Sequence, residues 1–176
     1  MPRHHVFSVF LAGTLAFTVA CGGDKPAPDT SGTQDTTAAA TAAPAAPAAT
    51  VASAGETQYQ RCVTCHMANG AGVPNAFPPL AGSEYVNGSA DRMVAIIMHG
   101  LQGPITVNGA QYNSAMLPYG TSVPMSDEEV AAVATYVRAS WGNTGAAVSA
   151  EDVARVRETT RSRATPWTVA ELASFK

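Results

Sequence analysis

The sequence predicts an all-α fold: three to four short helices joined by glycine- and proline-rich loops, with an extra helical tail behind them. Three observations carry that prediction. Residues 89–100 and 126–142 each set apolar side chains at helical spacing between a serine and a glycine, the usual start and stop of a helix. The stretches between them are broken by Gly70, Gly72, Pro74, Pro78, Pro79, Gly82, Gly103 and Pro104, which suit loops. Finally, Cys62-Val63-Thr64-Cys65-His66 gathers two thiols and an imidazole into five residues, a centre for helices to close over.

The N-terminus reads as an export signal. Met1-Pro2-Arg3-His4-His5 is a short basic start, and Val6 to Val19 is apolar apart from Ser8, Thr14 and Thr18, too short for a membrane span. Thr18-Val19-Ala20-Cys21-Gly22-Gly23 then resembles a bacterial lipoprotein processing site, with Thr18 where such sites usually carry leucine. That resemblance implies lipidation of Cys21 and a membrane anchor that does not span. Ordinary cleavage near Ala20, leaving a free thiol, and an uncleaved anchor helix are the other readings. Residues 22–54 are nearly all Ala, Pro, Thr, Gly, Ser and Asp, without the large apolar groups whose burial would offset ordering, so they read as a disordered, extended tether.

Residues 55–61 contain no breaker after Gly55 and lead straight into Cys62, so a short helix should present the cysteines, with Tyr59 one turn earlier on the same face as a core aromatic. Two thiols spaced C-x-x-C can add to the two vinyl groups of one haem, and the adjacent His66 can bind its iron. A zinc site would need two further ligands at suitable spacing, and no second C-x-x-C occurs. A thioredoxin-like redox pair would follow a strand, and no strand pattern precedes Cys62. The motif therefore specifies one covalent haem c.

After His66, the Gly70-Ala71-Gly72 run and Phe77-Pro78-Pro79-Leu80-Ala81-Gly82 extend the pattern. Together with C-x-x-C-H they resemble the class I mono-haem cytochromes c over residues 55–143. The resemblance implies the small cytochrome c fold around one covalently bound haem. It also implies that the Pro78 carbonyl accepts a hydrogen bond from His66, fixing the ring, and that Leu80 packs against the haem.

Ser89 to Gly100 should form a core helix over the haem, N-capped by Ser89. Met98 and His99 could in principle reach iron, but packing suits Met98 and capping of the last carbonyls suits His99. In the following loop, Ile105 to Tyr112 around Asn108-Gly109 reads as a small hairpin. A histidine–methionine pair closes haem iron to other ligands and raises its potential. Met116 and Met125 are both remote enough in sequence to serve. Met116-Leu117-Pro118-Tyr119-Gly120 resembles the family's ligand loop, with Leu117 as an insertion, and so implies Met116 as the sixth ligand.

Ser126-Asp127-Glu128-Glu129 is a capping box opening a helix whose stripe runs Val130, Val133, Ala134, Val137, Trp141 and stops at Gly142. The family's helix crossing implies that Tyr136 or Trp141 meets Gly55 and Tyr59. Behind the haem domain, residues 55–145, lies an extension, 146–176. In it Ser149 and Thr168 each start a further helix, and Arg155, Arg157, Arg161 and Arg163 make it locally basic. It reads as a brace across the haem domain, or alternatively as a docking arm.

Residues 55–145 carry three arginines and no lysine against six acids, which leaves no basic patch for nucleic acid. No paired nucleophile and base suggests an enzyme acting on a small-molecule substrate. The expected function is single-electron transfer by an exported, lipid-anchored cytochrome c in the periplasm or on the outer face of the cell membrane. Its redox partners would be an oxidase, a reductase, a dehydrogenase or a respiratory complex. A haem-based gas sensor or small peroxidase with an open iron site, and a fixed subunit of a larger complex, are the alternatives.

Overall fold

The computed structural model describes residues 48–119 and 124–175. The signal segment, Cys21 and the tether up to residue 47 lie outside them. Helix α1 runs Ala48–Tyr59, starting seven residues ahead of Gly55 and so inside the expected tether. Pro47 is the last proline of that segment, and the alanine-rich run after it favours helix. A single turn, α2 (Val63–His66), follows at once.

A second single turn, α3 (Glu84–Asn87), precedes α4 (Ala90–His99). Ser89 caps α4 by accepting from the Arg92 N–H, and Gly100 ends it at φ 76°. Strands β1 (Ile105–Val107) and β2 (Ala110–Tyr112) pair antiparallel with Ile105 opposite Tyr112. Asn108 and Gly109 both have positive φ, 49° and 79°, which is the type I′ turn that their residue types favour.

Helix α5 (Asp127–Ala139) opens with the complete capping box, Ser126 and Glu129 bonding each other's backbone N–H. It ends earlier than the apolar stripe suggested. Trp141 (φ 52°) and Gly142 (φ 80°) are left-handed, so the chain reverses and Trp141 leaves the helical stripe. Its ring lands 5.0 Å from Tyr59 and lies on Gly70, where a Cβ would overlap the indole. Gly55 presses on the Ala132 carbonyl and Tyr136 Cβ, so α1 and α5 cross with backbones nearly touching. Tyr59, Tyr136 and Trp141 fill the crossing, and Tyr59 Oη donates to the Met67 carbonyl at 2.7 Å.

Beyond α5 come α6 (Ala150–Thr159) and α7 (Val169–Ser174), each opened by a capping box. The extension packs back onto the domain. Arg155 bonds Asp91 through two nitrogens at 2.6 and 3.0 Å, Arg157 pairs with Asp127 at 2.7 Å, and Arg92 caps α7 through the Ala173 and Phe175 carbonyls. His99 does not cap α4 as expected. Its Nε2 is 2.7 Å from Thr160 Oγ1, whose own hydrogen goes to the Val156 carbonyl, so Thr160 accepts and His99 donates. The extension covers the end of α4 and takes that imidazole as a partner. Among the described residues no helix is long and apolar enough to cross a membrane.

Candidate haem site

The turn α2 exists because the Cys62 carbonyl accepts from both Cys65 N–H (3.2 Å) and His66 N–H (2.9 Å). Spacings of three and four residues then put Cys62, Cys65 and His66 on one side of the turn. All three line a single apolar cavity of about 1250 Å³, its open mouth included. Neither cysteine is in a disulfide, and both are half-buried. Burial pushes the Cys62 thiol up to about 11, partly offset by Arg61 and reinforced by Cys65, so it stays a protonated thiol at neutral pH.

His66 is buried, and burial lowers its basicity against the opposing pull of the Pro78 carbonyl. Its Nδ1 lies 3.0 Å from that carbonyl. A carbonyl can only accept, so Nδ1 carries the hydrogen and the lone pair sits on Nε2, the form of imidazole that binds a metal. The loop that delivers Pro78 is tightly held. The Gly70 carbonyl accepts from Leu80 N–H (2.8 Å) and Ala81 N–H (3.0 Å), and Val73 bridges to Phe77. Gly72, at φ 66°, lies against the Phe77 and Pro78 carbonyls with no room for a Cβ. Leu80 is half-buried on the cavity wall.

The same cavity is also lined by Met93, Ile96 and Ile97 of α4, by Ile105 and Val107 of β1, and by Val133 and Val137 of α5. Met116 and Met125 both line the cavity, whereas Met98 and His99 do not. Met116 is held by an antiparallel bridge to Leu101, with N–H to O distances of 3.2 and 2.8 Å. Met125 is 6 % exposed, and its N–H donates to the Tyr119 carbonyl at 3.0 Å.

Some supporting residues are not visible in the sequence. Asn143 is buried and bonds the Gly82 N–H, the Leu80 carbonyl and the Val137 carbonyl at 2.9 to 3.1 Å, tying the Pro78 loop to the end of α5. Tyr119 lines the cavity and donates through its hydroxyl to the Arg61 carbonyl at 3.1 Å, joining the second loop to the end of α1. Arg138 is buried and donates to the carbonyls of Val86, Gly88 and Ala146, with no carboxylate among those partners. Asn143 stands just after a helix-stopping glycine, a weak signal for a capping role. Nothing in the sequence pattern marks the other two.

The donor set fits a covalently held haem: an apolar slot lined by two free thiols, one neutral imidazole and two thioethers remote from them in sequence. Residues 52–141 match the family described as Cytochrome c, half of the chain. The chain belongs to the cytochrome c family. Members of that family transfer electrons and carry covalent haem c.

Over 89 residues this cytochrome c is 39% identical to cytochrome c-552 of Thermus thermophilus, a match covering 48% of this chain and 66% of that one. It is 34% identical over 106 residues to the cytochrome c subunit of a quinone alcohol dehydrogenase from Gluconacetobacter polyoxogenes, covering 59% of this chain and 22% of the relative. A fructose dehydrogenase cytochrome subunit from Gluconobacter japonicus is 31% identical over 98 residues, with 54% and 20% covered. The chain thus spans just under two thirds of the first relative and about a fifth of the other two.

Proposed function

We propose that this protein is a single-electron carrier: an exported mono-haem cytochrome c, lipid-anchored through Cys21, that passes electrons between redox proteins outside the cytoplasm. The observation that carries the reading is that Cys62, Cys65, His66 and Met116 all line one apolar cavity. When bound, haem c supplies iron that gains and loses one electron. Cys62 and Cys65 hold it through thioether links, and His66, oriented by Pro78, gives the fifth ligand. Met116 gives the sixth and keeps small molecules off the iron, and Leu80 packs on the ring.

Leu117, beside Met116, lines the cavity yet is 65% exposed, which puts an apolar contact at the mouth where electrons would pass to a partner. The relatives named as dehydrogenase cytochrome subunits favour a dehydrogenase as one such partner, with this chain either shuttling to it or fixed within a larger assembly.

The test is the visible and near-infrared spectrum of the holoprotein with and without carbon monoxide, for wild type, Met116→Ala and Met125→Ala. The expected result is a weak sulfur-to-iron band and no carbon monoxide binding in wild type, both reversed only by Met116→Ala. Ready carbon monoxide binding by the wild type would sink the electron-carrier assignment in favour of a gas sensor or peroxidase.

A further inference from the structure

Leu101 is bonded on both sides by segments far away in sequence. On one edge it exchanges N–H···O bonds with Met116. On the other, Trp167 N–H donates to the Gly100 carbonyl (3.0 Å) and Gln102 N–H donates to the Trp167 carbonyl (2.8 Å), a parallel bridge. A three-strand ladder one residue deep therefore runs from the C-terminal extension, through Leu101, to Met116. Gly100 shows how closely the layers lie, because a Cβ there would overlap the Met116 carbonyl.

The extension also reaches Met125, whose N–H donates to the carbonyl of Tyr119, three residues beyond Met116. Arg157 donates to the Met125 carbonyl at 3.1 Å and pairs with Asp127 at 2.7 Å. Residues 113–115, just before Met116, are exposed. Trp167 is itself locked in place, 8% exposed, with the Arg163 guanidinium 3.5 Å above its ring centre and Phe175 5.0 Å away.

We infer that the C-terminal extension is a positioning element for the sixth iron ligand, bracing Met116 through Trp167 and Leu101 on one side and through Arg157, Met125 and Tyr119 on the other. The inference rests on Met116 being that ligand. A side chain on a short, exposed loop exchanges readily for an external ligand unless its backbone is fixed elsewhere, and here the fixing contacts are supplied from outside the loop. Trp167 and Arg157 act through the backbones of Gly100, Gln102 and Met125 rather than by touching the iron.

The experiment is imidazole titration of the oxidised holoprotein, followed by loss of the near-infrared sulfur-to-iron band, with urea unfolding measured in parallel by far-ultraviolet circular dichroism. Variants are Trp167→Ala, Arg157→Ala, and Arg155→Ala as a control that removes an extension contact to Asp91 away from the loop. The clamp predicts imidazole binding about tenfold tighter or more in Trp167→Ala and Arg157→Ala, and unchanged in Arg155→Ala even where its urea midpoint falls. Imidazole affinity that simply follows lost stability across all three variants, or does not move in the first two, overturns the clamp while leaving Met116 as ligand. Should Trp167→Ala fail to fold, Arg157→Ala against Arg155→Ala decides alone. A wild type without the band, or one in which Met116→Ala keeps it, overturns the ligand assignment and the clamp with it.

Discussion

Asn143 is the residue whose loss should be felt furthest from its own position. Its amide donates to two carbonyls and accepts from the Gly82 N–H and the Asn87 amide, and truncation removes all four bonds at once, leaving the Leu80 and Val137 carbonyls only their longer bonds to Ser83 and Ser140 N–H. Asn143→Ala should cost about 1–2 kcal/mol, read as a lower urea midpoint with an unchanged slope. Because it steadies Leu80 and Gly82, two residues beyond Pro78, it should also loosen the His66 ring, visible as broadened haem resonances in the oxidised protein. A carbon-for-hydrogen change at Gly72 attacks the same loop from the other side. In Gly72→Ala a Cβ must enter space held by the Phe77 and Pro78 carbonyls at a backbone angle that favours glycine, so haem incorporation during expression should fall.

Helix α5 is fixed at both ends by different chemistry. Its start is a local device, the Ser126 capping box, and Ser126→Ala should cost about 1 kcal/mol in urea unfolding. Its end is held by tertiary contacts. Arg138 brings a cation to three carbonyls from two other segments, and burial lowers its pKa. A Gly145 Cβ would collide with its guanidinium, so Gly145 belongs to the same latch. Arg138→Met removes the donors but keeps the volume, and should destabilise by about 3 kcal/mol because three carbonyls lose their partners at once. A loss no larger than that of Ser126→Ala would show the latch to be weak.

At the scale of the whole molecule, the extension joins stability to pH. His99, under it, faces Arg157 and Arg163 as cations and Thr160 as a hydrogen-bond partner. Burial, then the repulsion of Arg163 and Arg157, holds its pKa below the ordinary 6.5. A folded-state pKa below the unfolded one means that the unfolded chain binds the proton more readily. The stabilisation is therefore full above pH 6.5 and is lost as pH falls below it. Between pH 7.5 and pH 5.5 the wild-type urea midpoint should drop more than that of His99→Gln, which keeps a donor for Thr160 but cannot titrate. Further down, Glu171 is held at about 2, first by its Arg163 hydrogen bond and then by the Thr168 backbone and hydroxyl, so its share is present above 4.5 and is lost as pH falls through 2. Export and anchoring belong to this scale too. Cys21→Ser should move the protein from the membrane fraction to the soluble periplasmic fraction, and an unchanged distribution would remove the lipid anchor from the proposal.

Much of the chemistry is local in sequence and was legible there. Cys62, Cys65 and His66 lie within one turn, so their spacing alone puts them on one side. The Ser89, Ser126, Ser149 and Thr168 caps and the Asn108-Gly109 turn act over three or four residues, and each forms where the residue types favour it. The Pro78 carbonyl lies within reach of His66, as the family resemblance implied. Contacts between distant segments are different, because no short pattern encodes them. The left-handed turn that throws Trp141 onto Gly70 and the taking of His99 by Thr160 were each decided by what else had to be packed. So were the Arg138 and Asn143 latches and the ladder from Trp167 through Leu101 to Met116. The sequence by itself determined what this protein binds. The tertiary structure decided how the binding groups are held, since that depends on which groups meet across 50 or more residues, as the Arg138 guanidinium and the Val86 carbonyl do.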